Sequence, residues 1–374
     1  MSDMQRDVQA VLDELVGSGA ERGMQAAVYR DGEQLVDVVA GVADPATGRP
    51  MTSDTPVFVT STGKGVAATV VHVLAERGAL DYDTPIADLW PEFAAHGKQG
   101  ATVAHALTHS VGVPGLPVEL TADAFLDWDA MCALIADAHP WWEPGTATGY
   151  HAQTFGWLVG EIVRRATGKR ISEVLRDEVA GPLGVADELF FGVPAAEIPR
   201  VARLEDPAPP EGWEDSGEGF EIPAPAGAQE GWVWAPPAAM PDAAYGNRED
   251  ILATDIPAGS TGTARALARM YAALLTEVDG VRLITPERLR TVTAPAVSGT
   301  DAVLYFPVTR SLGFGVGGQG SFSGATVFGM PGSGGTAAFA DTATGLSIAV
   351  TKNRNSFGEY TSYDAVCAAV LKHV

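Results

Sequence analysis

Ser61 and Lys64 stand three residues apart in Ser61-Thr62-Gly63-Lys64, a spacing that turns both side chains to one face of a helix. A serine hydroxyl is a poor nucleophile until a base takes its proton. A lysine amine can be that base where burial lowers its pKa from about 10.4 toward neutrality. The plainer reading of the pair is a capping serine followed by a solvated helix lysine. The apolar neighbours Val57, Phe58, Val59, Val66, Ala67 and Ala68 count against it. A helix beginning here also turns backbone N–H groups and a positive dipole end toward the serine, which suits a developing oxyanion.

Two further segments have the residue types for proton and charge handling. Tyr150 follows Pro144-Gly145-Thr146-Ala147-Thr148-Gly149 and precedes a helical pattern, so its hydroxyl can project into a cleft and relay a proton. A tyrosine packed with its hydroxyl on backbone is the commoner case. Phe328-Gly329-Met330-Pro331-Gly332-Ser333-Gly334-Gly335-Thr336 places small residues before a strand. Such a stretch is either an ordinary glycine-rich hairpin or a place where a substrate approaches closely and an edge N–H completes an oxyanion hole. His151, beside Tyr150, is either a site hydrogen-bonder or a satisfied structural histidine. Trp141 and Trp142 either line an acyl pocket or pack between lobes.

Other patterns carry less. Gly315-Val316-Gly317-Gly318-Gln319-Gly320 fits GxGxxG but leads into β-like text rather than a helix, so no dinucleotide site is expected. His105 and His109 are four apart with no HExxH glutamate and no evident third ligand, so no metal is expected. No serine lies in Gly-x-Ser-x-Gly, which excludes the usual α/β-hydrolase elbow.

The elements that would position these residues are legible in outline. Val8 to Val16 has helical spacing and stops at Gly17-Ser18-Gly19, and Met24–Tyr29 and Gln34–Ala40 form a hairpin about Asp31-Gly32. Helices are expected at 61–77, 103–107, 124–138, 154–167, 171–179 and from Gly262 to Leu275. β-like text follows at 312–317, 324–329, 336–341 and 346–351, and a helix closes the chain at 363–372. Strands at both ends around a helical middle imply an α/β fold: one antiparallel sheet flanked by N- and C-terminal helices, with an all-helical lobe inserted. The expected division is 1–60 with 300–374 for the α/β domain and 61–299 for the helical one. Within the latter, the Pro- and Trp-rich segment 205–242, with Trp213, Trp232 and Trp234, reads as an ordered loop. It is either a lid or a surface loop docked by its tryptophans.

Composition bounds the rest. The 374 residues carry a net charge of -23, with 47 acidic against 24 basic groups, which excludes a nucleic-acid surface and an anionic membrane surface. Cys132 and Cys367 read as small buried hydrophobes, the N-terminus as no signal peptide, and no apolar run reaches the roughly 20 residues of a membrane span. A cytoplasmic protein without cofactor is expected.

The order Ser-x-x-Lys, tyrosine after a Pro-Gly segment, then a glycine-rich strand motif resembles the penicillin-recognising serine hydrolases. The chain is most similar to class C β-lactamases and β-lactamase-like family VIII carboxylesterases, and the likeness extends to residues 102–112, 156–163, 181–184 and 339–341. The resemblance implies Ser61 as acylated nucleophile, Lys64 as base, Tyr150 as second acid/base group, and the backbone N–H groups of Ser61 and Ser333 as oxyanion hole. Two positions depart from it. Ala152 stands where the lactamases have asparagine, and Met330-Pro331-Gly332 where they have Lys-Thr-Gly and the esterases His-x-Gly. The implied substrate is a small, apolar, uncharged ester met by His151, Ala152, Met330, Gly332, Gly334, Trp141 and Trp142. Acyl transfer to an amine or alcohol is the alternative reaction; β-lactam or D-amino-peptide cleavage and an inactive binding homologue rank behind.

Overall fold

In the computed structural model, which describes residues 2–208 and 227–374, strands from both ends of the chain share one antiparallel sheet. Its nine strands run, edge to edge, Arg49–Pro50, Glu33–Asp44, Gly23–Arg30, Leu346–Lys352, Ala337–Asp341, Phe322–Pro331, Gly315–Gln319, Pro307–Arg310 and Val297–Thr300. The junction between the two ends is the pairing of Gly23–Arg30 with Leu346–Lys352, Met24 opposite Lys352 and Arg30 opposite Leu346.

Alternation along these strands sorts the core into two layers, because successive side chains leave a strand on opposite faces. Ala26, Val28, Ile348, Val350 and Phe339 pack with Val8 and Leu12 of the helix Asp3–Gly17 and with Val366, Cys367 and Val370 of the helix Thr361–Leu371. Ala27, Tyr29, Ala338, Ala340 and Ala349 face the other way. They join a larger cluster that includes the helices Gly63–Glu76 and Ala264–Leu275 and the middle of the chain. Covered on both faces, Gly23–Arg30 is buried at nearly every position. Its text is accordingly apolar toward both faces, Met24, Ala26 and Val28 on one and Ala27 and Tyr29 on the other, rather than alternating.

The middle is helical. Val103–Leu107 and Thr154–Thr167 have the bounds expected from sequence. The helix expected over 124–138 is two, Ala122–Leu126 and Trp128–Ala136. Asp127 ends the first in an extended conformation and caps the second by accepting from Ala130 N–H at 3.0 Å. The helix begun at Ile171 ends at Leu175, and a π turn, Arg176–Ala180, follows. Sequence reading passed over the helix Pro286–Thr293, the edge strand Val297–Thr300 and its neighbour Pro307–Arg310. Of the segment 205–242, Trp213 and its neighbours from 209 to 226 lie outside the described residues. Beyond them Trp232–Val233 pairs with Leu116–Pro117. Cys132 and Cys367 are both buried thiols.

Candidate active site

The chain enters the helix Gly63–Glu76 through a short 3-10 turn, Thr60–Thr62, that carries Ser61. Thr60 has a φ of +44°, a left-handed backbone that a β-branched residue holds only when its surroundings dictate it. One turn on, Lys64 brings Nζ to 3.0 Å from Ser61 Oγ and donates to the Ala258 carbonyl at 2.8 Å. Lys64 is 1% exposed. Burial alone lowers its pKa, to about 7. At neutral pH the amine thus has a large uncharged fraction, with a lone pair to offer the serine hydroxyl.

Tyr150 sits across from this pair. Its ring centre lies 5.0 Å from Lys64 Nζ, and its phenol faces the Ser61 side chain. Burial raises the phenol pKa well above its ordinary value, while the nearby Ser61 hydroxyl and the Arg310 charge act the other way. The phenol therefore holds its proton at neutral pH, and Lys64 is the better base of the two. His109 packs against Tyr150 and Phe155 with ring centres 4.9 Å from each, and its Nδ1 accepts the His151 backbone N–H at 3.1 Å. Burial first, then the nearby Arg310 charge, keep His109 uncharged well below its usual range.

Ser333 is brought to Ser61 by a threonine. Thr336 Oγ1 donates to the Val59 carbonyl at 3.0 Å and lies 3.1 Å from Thr62 Oγ1, so the turn after the Phe322–Pro331 strand is tied to both sides of Ser61. The carbonyl of Ser333 accepts Gly358 N–H at 2.8 Å, and that of Gly332 accepts the Tyr360 hydroxyl at 3.2 Å. No acceptor takes the Ser333 N–H among the described residues. An N–H so placed is open to an oxygen of a bound molecule.

A cavity of about 760 Å³ opens over these groups, lined by Ser61, Tyr150, Ala152, Met330 and Ser333. Its walls include Phe58, Leu107, Tyr245, Leu304, Phe306 and Phe314, and no carboxylate lines it among the described residues. Among those residues, no three His, Cys, Asp or Glu cluster so as to hold a metal ion.

Five residues expected to meet substrate stand elsewhere. His151 is buried and satisfied at both nitrogens, Nε2 accepting from Val113 N–H at 3.1 Å and Nδ1 donating to the Gly149 carbonyl at 2.7 Å. Trp141 presses its ring on Gly115, and Trp142 donates from Nε1 to the Ser110 carbonyl at 3.2 Å. Both tryptophans pack behind the Tyr150 loop, outside the cavity lining. Gly332 and Gly334 are spacers instead. A Cβ on Gly332 would lie 2.5 Å from the Val59 carbonyl oxygen, and one on Gly334 2.3 Å from Asn355 Oδ1. Their smallness lets the Ser333 turn close on its neighbours.

The sequence reading also missed residues that matter to the geometry. Asp301 accepts the Tyr150 backbone N–H at 3.2 Å, Arg310 pairs with Asp301, and Tyr360 lines the cavity. The stretch 304–310 lines it as well. Nothing in a single sequence links an aspartate to a tyrosine 151 positions earlier.

Comparison with known proteins follows the same lines. The family model described as Beta-lactamase matches residues 8–370. "Esterase/beta-lactamase LipL" of Mycobacterium tuberculosis is 36% identical over 347 residues, covering 89% of this chain and 77% of that protein. "Esterase EstB" of Burkholderia gladioli is 30% identical over 270 residues, 66% of this chain and 67% of its own length. Among solved structures, a family VIII carboxylesterase superposes with a TM-score of 0.86 at 32% identity, covering 100% of this chain and 98% of that one. A penicillin-binding protein homologue from Caulobacter crescentus gives 0.85 at 33% identity, with coverage of 99% and 96%.

Proposed function

Because this chain belongs to the beta-lactamase family, we propose that it is a carboxylesterase-type serine hydrolase that works through an acyl-enzyme on Ser61. The observation that carries this reading is the buried amine of Lys64, uncharged to a large extent at neutral pH, 3.0 Å from Ser61 Oγ.

The steps follow from the positions. Lys64 takes the Ser61 proton as Oγ adds to the ester carbonyl, and the carbonyl oxygen gains charge between the backbone N–H groups of Ser61 and Ser333. As the tetrahedral centre collapses, the C–O bond to the alcohol breaks. Tyr150 gives its proton to the leaving oxygen and is reprotonated from the Lys64 ammonium. Water then repeats the sequence in reverse roles and frees the acid.

The cavity's character bears on the substrate. Apolar walls, with Ala152 and Met330 where the lactamases carry polar groups, favour a small uncharged ester over a β-lactam carboxylate. The same walls favour acyl acceptors less polar than water, so transfer to an alcohol or amine is the second reading.

Intact-mass spectrometry after mixing with a 4-nitrophenyl ester tests the central claim. One acyl group on the wild type and none on Ser61→Ala is expected. An adduct that persists in Ser61→Ala overturns the assignment.

A further inference from the structure

Asp301 and Arg310 form a buried ion pair, 0% and 7% exposed, that the ester-cleaving steps leave unused. Asp301 Oδ1 accepts three backbone N–H groups, from Tyr150 at 3.2 Å, Val303 at 2.8 Å and Leu304 at 2.7 Å. Its other oxygen meets Arg310 Nη2. Arg310 Nη1 donates to Thr148 Oγ1 at 2.6 Å, and that hydroxyl donates to the Thr108 carbonyl at 2.8 Å. Backbone bonds repeat the link, Ala302 N–H to the Thr148 carbonyl at 2.8 Å and Gly149 N–H to that of His109 at 3.0 Å. The guanidinium carbon stands 6.0 Å from the centre of the Tyr150 ring.

A buried ion pair is a weak device for stability, since apolar residues of similar size often serve as well or better. Its place at the Tyr150 peptide therefore asks for another reason. The charged and titratable groups that face Tyr150 are Lys64 from the nucleophile helix, His109 and His151 from the adjoining loops, Tyr360, Asp301 and Arg310. Of these, Arg310 is the permanent cation, and it bears on the ring face.

We propose that Asp301 and Arg310 are positioning residues for Tyr150, the carboxylate clamping the peptide at 148–150 and the guanidinium fixing the ring. The phenol hydroxyl is thereby kept on the proton path from Ser61 to the departing alcohol. This rests on the acyl-enzyme reading above. In the step concerned, the Tyr150 O–H bond breaks as the leaving oxygen takes the proton, and the Lys64 ammonium restores it. An alkoxide needs that proton to leave. A 4-nitrophenolate does not.

The test compares the ethyl and 4-nitrophenyl esters of one acyl chain, by kcat/KM, which reports acylation. Asp301→Asn combined with Arg310→Met removes both charges at once and avoids a lone buried ion. Thr148→Val is milder, removes one anchor of Arg310, and decides the matter by itself if circular dichroism shows the double variant unfolded. For the ethyl ester the double variant should lose about 10²-fold, the lower end for a lost general acid, and Thr148→Val about fivefold. The nitrophenyl ester should lose about threefold or less in both, since its leaving group needs no acid. Equal losses for the two esters, or no loss in the folded variants, overturn the proposal. Absence of any acyl adduct on the wild type would defeat the acyl-enzyme reading and this proposal with it. An adduct with an unaltered ester ratio defeats this proposal alone.

Discussion

Lys64 donates to the carbonyl oxygen of Ala258 at 2.8 Å, and its remaining polar contact among the described residues is the Ser61 hydroxyl at 3.0 Å. A neutral amine fits that setting, one N–H on the carbonyl and the lone pair toward the serine. An ammonium there would be a buried charge with no counter-ion among the described residues, a state proteins avoid by releasing the proton.

The pH profile should show it. The proposed mechanism needs the unprotonated amine, so kcat/KM should rise through about pH 7, the folded-state value, and level off above. Stability runs on the same group. Its folded pKa is depressed from 10.5 to about 7, so the unfolded chain binds the extra proton between those limits and stability should rise with pH across that window. Lys64→Met should be inactive and unfold at a higher temperature than the wild type at pH 7. A wild-type activity that peaks below pH 5 would contradict this.

Removing the reacting side chains should separate their roles. Ser61→Ala should abolish turnover, and Lys64→Ala should cost at least about 10²-fold in kcat. Tyr150→Phe should keep the ring between Lys64 and His109 yet lose alkyl-ester turnover. Steady-state rates on a matched ester series decide, and wild-type rates in either of the first two remove the mechanism.

Gly332→Ala should act on the Ser333 N–H without touching substrate. The new Cβ would meet the Val59 carbonyl and Thr336 Oγ1, both at 2.5 Å, and push the turn outward. A lost oxyanion donor costs on the order of 10²–10³ in kcat, and a displaced one should cost about tenfold or more. A fall in kcat with KM nearly unchanged is the expected split.

Ala152→Asn alone should give little β-lactam turnover, because Met330 still offers no cation to a lactam carboxylate. The double change with Met330→Lys should exceed the single. Nitrocefin hydrolysis reads both, and strong turnover by the single variant would count against this account of the two positions.

Added alcohols and amines should compete with water for the acyl group. Product ratios against acceptor concentration measure it. Free acid remaining the main product at high acceptor concentration favours hydrolysis; diversion of most acyl groups favours transfer.

How much of this was legible beforehand follows the range of the interactions. The Ser61–Lys64 pair is local, one helical turn, and the sequence carried it whole. So did the hairpin at Asp31-Gly32 and the helices 103–107 and 154–167, where spacing and end signals coincide. The helix expected over 124–138 failed at Asp127, where an N-cap preference outweighed continuing periodicity. The contacts of His151, Trp141 and Trp142 were not readable, because which side of the Tyr150 loop faces the cavity depends on the 301–310 stretch packed against it. Asp301 illustrates the limit. Its partners are backbone groups and an arginine, and such partners leave no pattern along the chain.

The Leu346–Lys352 strand lies between Gly23–Arg30 and Ala337–Asp341. During synthesis, then, the serine, lysine and tyrosine all leave the ribosome well before the sheet that holds the Ser333 turn can close. A nascent chain stalled short of Leu346 would own Ser61, Lys64 and Tyr150 and catalyse nothing, and it would present two unpaired strand edges to its neighbours. Activity therefore reports completion of the chain, and truncations near the C-terminus should be lost to aggregation rather than persist as weak enzymes.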